Sequence, residues 1–442
     1  MNIILVTLFF GLCLYTIKKL ISTASTLWLM IGIIGSFSIG YYVLPILFQD
    51  EAGLSKFLSS DVTEVLLMSL LFFFFIIMGA IITENKLQNK KFSLFLNMID
   101  GIFIRNYQVI YFIGLLIWLL YFFNTNLTSY AVEDSVAYFK QQSSTAGLIA
   151  FLSNFGMAGM AIGVAIIYKD QNTTKIKKIL FFAIYLSLTI LLLSTAQRLA
   201  VLKPIFMLVA AFYMFDNKKL SLRLILFGVL FLFIISPFMV FLREFDRKSA
   251  TGQTMETLVK YKQTGNITST AFQSIIDRAD LLKVMIKLKK YFDRDFQQFN
   301  HEQYFYSLFT AFIPKLIYPD KPYPLSDTGT IKGEISVVAW KVHGLSSMGS
   351  LSAFGAISAY REGGYIWMLL NGFLVGFLFA VINKFLGSGG VTAKFLLVSL
   401  FVTLCVKNIP PSLSYFLMFI APMVNFVIIL YILNMILRRY RK

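Results

Sequence analysis

Sulfur, imidazole and charge are all scarce in this chain. Its two cysteines, Cys13 and Cys405, each sit inside an apolar run, which excludes a disulfide framework and a cysteine-bound cluster. Two histidines, His301 and His343, are too few for a histidine-rich metal site, so no metal is expected. Charged residues make up 14% of the 442 residues, where soluble domains average about 25%. A Walker loop, a dinucleotide-binding glycine fingerprint, an HExxH helix and a nucleophile elbow are all missing. Energy is therefore not drawn from ATP; an enzyme of this kind would use a pre-activated substrate and no cofactor.

What is present is apolar surface. Hydrophobic residues reach 57%, with 46 phenylalanines, which a bilayer absorbs and a soluble core does not. A span needs about 20 apolar residues, because a helix rises 1.5 Å per residue through a hydrocarbon layer about 30 Å thick. Eight candidate runs precede a long polar stretch: Asn2–Ile17, Thr26–Phe48, Val62–Thr83, Tyr107–Phe123, Ala146–Tyr168, Ile179–Ser194, Leu199–Phe215 and Leu224–Leu242. Three follow it: Tyr365–Leu386, Val391–Lys407 and Leu413–Leu437. The first lacks the basic flank and cleavage site of a signal peptide and reads as a span. Arg198, Lys203 and Pro204 interrupt Ile179–Phe215, which is either a hairpin or one broken helix. The expected fold is an all-α polytopic membrane protein of about eleven spans.

Loop charge sets the orientation. Lys18 and Lys19; Lys86, Lys90, Lys91 and Arg105; Lys169, Lys175, Lys177 and Lys178; Lys218, Lys219 and Arg223; Lys384; and the tail Arg438, Arg439, Arg441 and Lys442 fall on alternate loops. The short loops between them hold few basic residues, so the positive-inside rule makes the first set cytoplasmic. The amino terminus is then outside and the carboxyl terminus inside. The chain divides into a bundle of about eight spans over 1–242, an extracytoplasmic loop over 243–364, and three spans with a basic tail over 365–442.

That loop holds much of the net charge of +18. Phe272, Ile275, Ile276, Ala279, Leu282 and Ile286 recur at helical spacing, which predicts an amphipathic helix over Thr268–Tyr291. Tyr304–Tyr318 is apolar but too short to span, so it is interfacial or re-entrant. In Tyr318-Pro319-Asp320-Lys321-Pro322 two prolines fix φ and make a rigid extended turn. Glycines and serines from Gly329 to Gly355 then suit a flexible binding loop. Clustered Arg and Lys outside the membrane fit an anionic ligand such as phosphate. Tyr318, Tyr323, Trp340 and Tyr360 can stack on sugar rings or sit at the interface. Nucleic acid is not an expected partner on that side.

The segment Phe312-Ile313-Pro314-Lys315-Leu316-Ile317-Tyr318-Pro319-Asp320-Lys321-Pro322 is similar to the P-R/K-x-x-x-P-D-K-P element of the Wzy family, the oligosaccharide repeat-unit polymerases. Ser194-Thr195-Ala196-Gln197-Arg198 resembles a family S-x-R turn, and Tyr360 through Gly364 resembles a stretch ending in a glycine that opens a helix. Where the family often carries an acid two positions before that tyrosine, this chain has Ser358. The layout of many spans, a late periplasmic loop and few spans after it is also similar. The resemblance implies polymerisation of undecaprenyl-pyrophosphate-linked oligosaccharides into O-antigen or capsular polysaccharide at the outer leaflet of a bacterial inner membrane. It also implies a chain-length regulator and a flippase as partners, beside membrane lipid.

In such a reaction the leaving pyrophosphate gains negative charge, which preplaced cations stabilise. Arg198, Arg243, Arg278, Lys315 and Lys321 are the candidates, being near outer span ends or in the rigid turn. The acceptor hydroxyl loses a proton, and His343, Glu362 and Asp320 are the candidate bases. His343 titrates near 6.5 unaided, whereas the carboxylates need desolvation to match. The alternatives are an O-antigen ligase, which passes the glycan to a different acceptor, and a non-enzymatic lipid-linked oligosaccharide flippase or exporter. Mostly apolar spans with charge concentrated outside favour an enzyme over a carrier.

Overall fold

A computed structural model describes residues 2–23, 25–43, 60–87, 107–124, 144–191, 198–216, 301–310, 355–386 and 390–406, with single residues and short pieces between 285 and 293, between 312 and 318, and between 413 and 428. Among the described residues there are helices and no strand: α1 (Asn2–Ser22), α2 (Thr26–Ser38, running on into a π-turn over Ile39–Val43), α3 (Ser60–Lys86), α4 (Tyr107–Asn124), α5 (Ser144–Lys169), α6 (Lys175–Leu191), α7 (Arg198–Asp216), α8 (His301–Thr310), α9 (Gly355–Leu386) and α10 (Val391–Val406). Four of them are long and apolar enough to cross a membrane: α1, α3, the 152–169 part of α5, and α9. α2, α4, α7 and α10 contain shorter apolar runs. The predicted run Leu224–Leu242 and nearly all of the predicted helix Thr268–Tyr291 lie outside the described residues.

Glycine sets the closest packing. α3 and α9 run side by side in the same direction, and Gly79, Gly372 and Gly376 line their seam. A Cβ at Gly372 would stand 2.7 Å from the Phe72 carbonyl oxygen, one at Gly376 would run into the Ile76 carbonyl, and one at Gly79 into that of Phe373. Gly372 and Gly376 form a G-x-x-x-G pair, the spacing that lets helix backbones meet where lipid offers no hydrophobic drive. α4 and α5 repeat the device in antiparallel sense, with Gly114 against Gly156 and Tyr111 against Gly163.

Several hydroxyls inside the bundle donate to backbone carbonyls, as a dry environment favours. Ser69, Thr189 and Ser399 each donate to the carbonyl four residues earlier. Between helices, Tyr111 donates to the Phe181 carbonyl at 2.8 Å and Tyr185 to that of Pro204 at 2.7 Å. The second bond pairs the middle of α6 with the start of α7, so Ile179–Phe215 is a hairpin rather than one broken helix.

Lysines gather at one end. Tyr213, in the last turn of α7, donates to the Thr23 carbonyl between α1 and α2 at 3.0 Å. Lys169, ending α5, donates to the Phe215 carbonyl at 2.8 Å, satisfying a helix C-terminus. Lys394, starting α10, lies over the Phe215 ring at 4.7 Å. Lys384 and Lys19 both act on Glu84 near the end of α3. In the α5–α6 turn, Thr173 and the Asn172 N–H donate to Asp170 and hold its carboxyl below the usual range. The amino-terminal turns of α1 and α3 meet at the opposite end, where Thr63 donates to the Asn2 side chain. α1, α3, α5, α7 and α9 therefore run toward the lysine end, and α2, α4, α6 and α10 run away from it.

The glycine seam generates a prediction. Gly376→Ala should lower the thermal midpoint of detergent-solubilised protein, at a cost of about 1–3 kcal/mol for the overpacked contact. Gly11→Ala should leave the midpoint within error, since nothing lies within 4 Å of a Cβ there. Equal midpoints for the two variants would remove the seam from the account.

Candidate functional site

α9 is broken where two glycines adjoin. Gly363 is extended (φ −177°), and Gly364 has φ 73° and ψ −165°, a region essentially closed to any residue with a Cβ. The predicted start at Tyr365 thus marks where helix resumes after the break, and a further helical piece, Gly355 to Glu362, precedes it. The break turns Glu362 inward. It is 3% exposed, and its Oε2 accepts from Trp367 Nε1 at 3.4 Å and from Asn371 Nδ2 at 3.2 Å. Asn371 is itself held, since its Oδ1 accepts from the Leu413 N–H at 2.7 Å. A buried carboxylate is thereby aimed by an indole and an amide on the helix that follows it. Ser358, one turn earlier, buries its hydroxyl beside the same chain segment.

A second polar group straddles the break. Lys289 stands on the short helical piece near residues 285–293 that buries Met285, Leu288 and Phe292. Its ammonium bridges two carboxylates, Glu64 Oε2 at 3.0 Å and Asp293 Oδ2 at 2.7 Å. Tyr360, before the break, donates to Asp293 Oδ1 at 2.7 Å. Tyr365, after it, donates to Glu64. The two phenol rings touch, with centroids 4.8 Å apart, and Lys289 lies 5.4 Å from the Tyr360 ring. Beside them Lys290 pairs with Asp61 at 2.5 Å, and the Arg361 guanidinium lies over the Phe292 ring at 5.0 Å. Burial alone would lower the Lys289 pKa, but its hydrogen bonds to Asp293 and Glu64 outweigh that and hold it above its ordinary value. Lys289 is therefore a fixed cation at physiological pH and cannot serve as a proton acceptor.

Of the eight residues singled out in the sequence, two fall among the described ones. Glu362 is in the constellation. Arg198 opens α7 at the end of the bundle away from the lysines. His343, Asp320, Arg243, Arg278, Lys315 and Lys321 lie outside the described residues. Sequence reasoning missed Glu64, Asn371, Asp293 and the special place of Lys289. Glu64 and Asn371 carried a signal, as each interrupts an apolar run inside a predicted span. Asp293 and Lys289 carried none, being two charges in a loop full of them. Among the described residues no group of acids, cysteines and histidines is placed to hold a metal. Compared with family models, with curated proteins and with solved structures, the chain finds no match in any of the three.

The bridge can be tested by its pH dependence. A lysine whose folded pKa is raised contributes stability that is fully present below its unfolded pKa and is lost as pH rises through the folded value. Lys289→Met should lower stability by about 1.5–3 kcal/mol, the range for hydrogen bonds to charged groups. The gap from the unaltered protein should stay constant between pH 7 and 9 and close only in strong alkali. A gap that closes between pH 7 and 9, in thermal unfolding followed by tryptophan fluorescence, would contradict the bridge.

Proposed function

We propose that this chain is a metal-independent membrane glycosyltransferase. It joins undecaprenyl-pyrophosphate-linked oligosaccharide repeat units into O-antigen or capsular polysaccharide at the outer leaflet of a bacterial inner membrane. The observation that carries the reading is the place of the polar constellation. A buried carboxylate, two further carboxylates, a lysine and two tyrosines assemble at one end of an apolar bundle, where the long basic loop meets it. Lysines mark the other end.

The proposed topology has about eleven spans, with the amino terminus outside and the carboxyl terminus cytoplasmic. Two features support it. The directions of α1 to α7 alternate, and their lysine end is the one the positive-inside rule makes cytoplasmic. Moreover Phe215 lies at the lysine end and Met285 at the opposite end, so the chain passes from one end to the other between them. The run Leu224–Leu242 is the segment able to do so as an apolar helix.

In the proposed reaction the acceptor hydroxyl attacks the anomeric carbon of the growing chain as the bond to the lipid pyrophosphate breaks. In this reading Glu362 receives the hydroxyl proton, with His343 and Asp320 as rivals in the loop. Arg198, Arg243, Arg278, Lys315 and Lys321 stabilise the departing pyrophosphate by charge. Tyr360 and Tyr365 offer ring faces of the kind sugars stack on. A chain-length regulator and a flippase would act on the same lipid-linked glycan.

A second reading, a lipid-linked oligosaccharide exporter, draws on two observations. Lys203 of α7 bonds Asn154 of α5 between apolar helices, and α9 is discontinuous, both features of transport proteins. Cells lacking the chain separate the readings. The polymerase predicts single-repeat glycan on the outer surface, with long polymer on its return. The exporter predicts lipid-linked glycan retained on the cytoplasmic face, and a ligase predicts polymer absent from its final acceptor.

Residue roles follow. Glu362→Gln should abolish polymerisation of purified lipid-linked substrate while the protein still binds it. Arg278→Ala and Lys321→Ala should each slow it about tenfold or more, the value of one charge-assisted phosphate contact. Full activity in both cationic variants would withdraw the anion-site assignment. For topology, cysteines replacing Asn126 and Thr328 should react with an impermeant thiol reagent in spheroplasts, and one replacing Lys219 should not. The reverse pattern would invert the orientation.

A further inference from the structure

α8 presents an apolar face that the other described residues leave uncovered. Phe309 is 80% exposed, and Phe305, Tyr306, Phe312 and Ile313 are exposed with it. Their spacing follows one helical stripe, continued past Thr310 by a turn closed from the Ile313 N–H to the Thr310 carbonyl at 3.0 Å. Leu308 and Thr310 are buried on the other side. No charged residue occurs from Gln303 to Pro314, although Glu302 and Lys315 stand immediately outside. Ten residues of helix reach only about 15 Å, half the thickness of a hydrocarbon core.

What covers this face follows from where α8 is attached. The Phe305 ring meets Trp367 edge to face at 5.3 Å. Trp367 stands in the first turn of α9 after its break, the turn that carries Tyr365 of the polar constellation. Its neighbour Ile366 is 77% exposed, and Leu370 and Phe377 continue outward along α9. α9 is long and apolar enough to cross a membrane, so acyl chains are the solvent for that stripe. The α8 face thus adjoins a lipid-facing stripe at the point where α9 leaves the polar end. Aromatic side chains on a short uncharged helix belong at that depth, where headgroups meet acyl chains.

We infer that α8 is an interfacial helix, not a re-entrant one: it lies on the bilayer at the end opposite the lysines and inserts Tyr306, Phe309, Phe312 and Ile313. Its partner is the lipid interface itself. The helix anchors the loop through Phe305 and Trp367, next to the polar constellation. This inference is independent of the reaction proposed above, and its test reads no catalytic activity.

The test is depth-resolved fluorescence quenching on the full chain in phosphatidylethanolamine–phosphatidylglycerol vesicles. Cys13 and Cys405 are first replaced by serine. A bimane label is then placed on Phe309→Cys or Tyr306→Cys, both exposed positions that leave the core intact, and on Lys290→Cys as a water-facing reference. Lipids carrying a nitroxide high on the acyl chain should quench the α8 labels severalfold more than the Lys290 label. A nitroxide near the chain terminus should quench them less, and aqueous iodide should reach them poorly. Iodide quenching equal to that at Lys290 would place the face in water. Strongest quenching by the deep nitroxide would make α8 re-entrant, and protection from both quenchers would mean a protein covers it. Each of these three results overturns the inference.

Discussion

Contact between the backbones of α3 and α9 governs how this molecule is put together. In a bilayer the lipid is as apolar as leucine, so helices gain little from hiding side chains from it and associate through close van der Waals contact. At Gly79, Gly372 and Gly376 no Cβ holds the two helices apart. The seam also fixes register. Because the helices are parallel and Gly372 lies on Phe72, Glu64 at the start of α3 comes level with Tyr365 at the resumption of α9. A shift of one residue along the seam would separate this pair and the bridge beyond it.

The break at Gly363 and Gly364 is the second element of the design. A continuous helix would place Tyr360, Glu362 and Tyr365 on different faces about 100° apart per residue. The break re-aims them, sending Glu362 inward to Trp367 and Asn371 while both tyrosines reach the carboxylates that Lys289 joins. The bridge in turn ties the two sides of the break to one ammonium, through Asp293 before it and Glu64 after it. The irregular backbone at the break is flanked by these polar side chains, which bond one another across it.

The two ends of the bundle are chemically unlike. At one, lysines satisfy helix C-termini, as Lys169 does for the last turn of α7. At the other, carboxylates, phenols and a buried Glu362 collect. It is this polarity that the proposed reaction at one membrane face would use. Preorganised groups act more strongly there than in water, because the local dielectric is low.

Apolar run length was enough to place helices α1, α3 to α7 and α10 within about five residues, and the start of α2, since an apolar run is a local property. Glu362 is visible in the sequence as a carboxylate with apolar flanks, and its burial agrees with them. The special place of Lys289 and Asp293 is not visible there. Nothing in a loop with so many basic residues marks the one whose ammonium meets Glu64, more than two hundred positions earlier in the chain. Only the register imposed by the glycine seam brings α3, α9 and that loop segment to one point. Local sequence thus determined that this chain folds as apolar helices with a basic end. The tertiary structure decided which of its charges meet, because that depends on backbone approach between helices far apart in sequence.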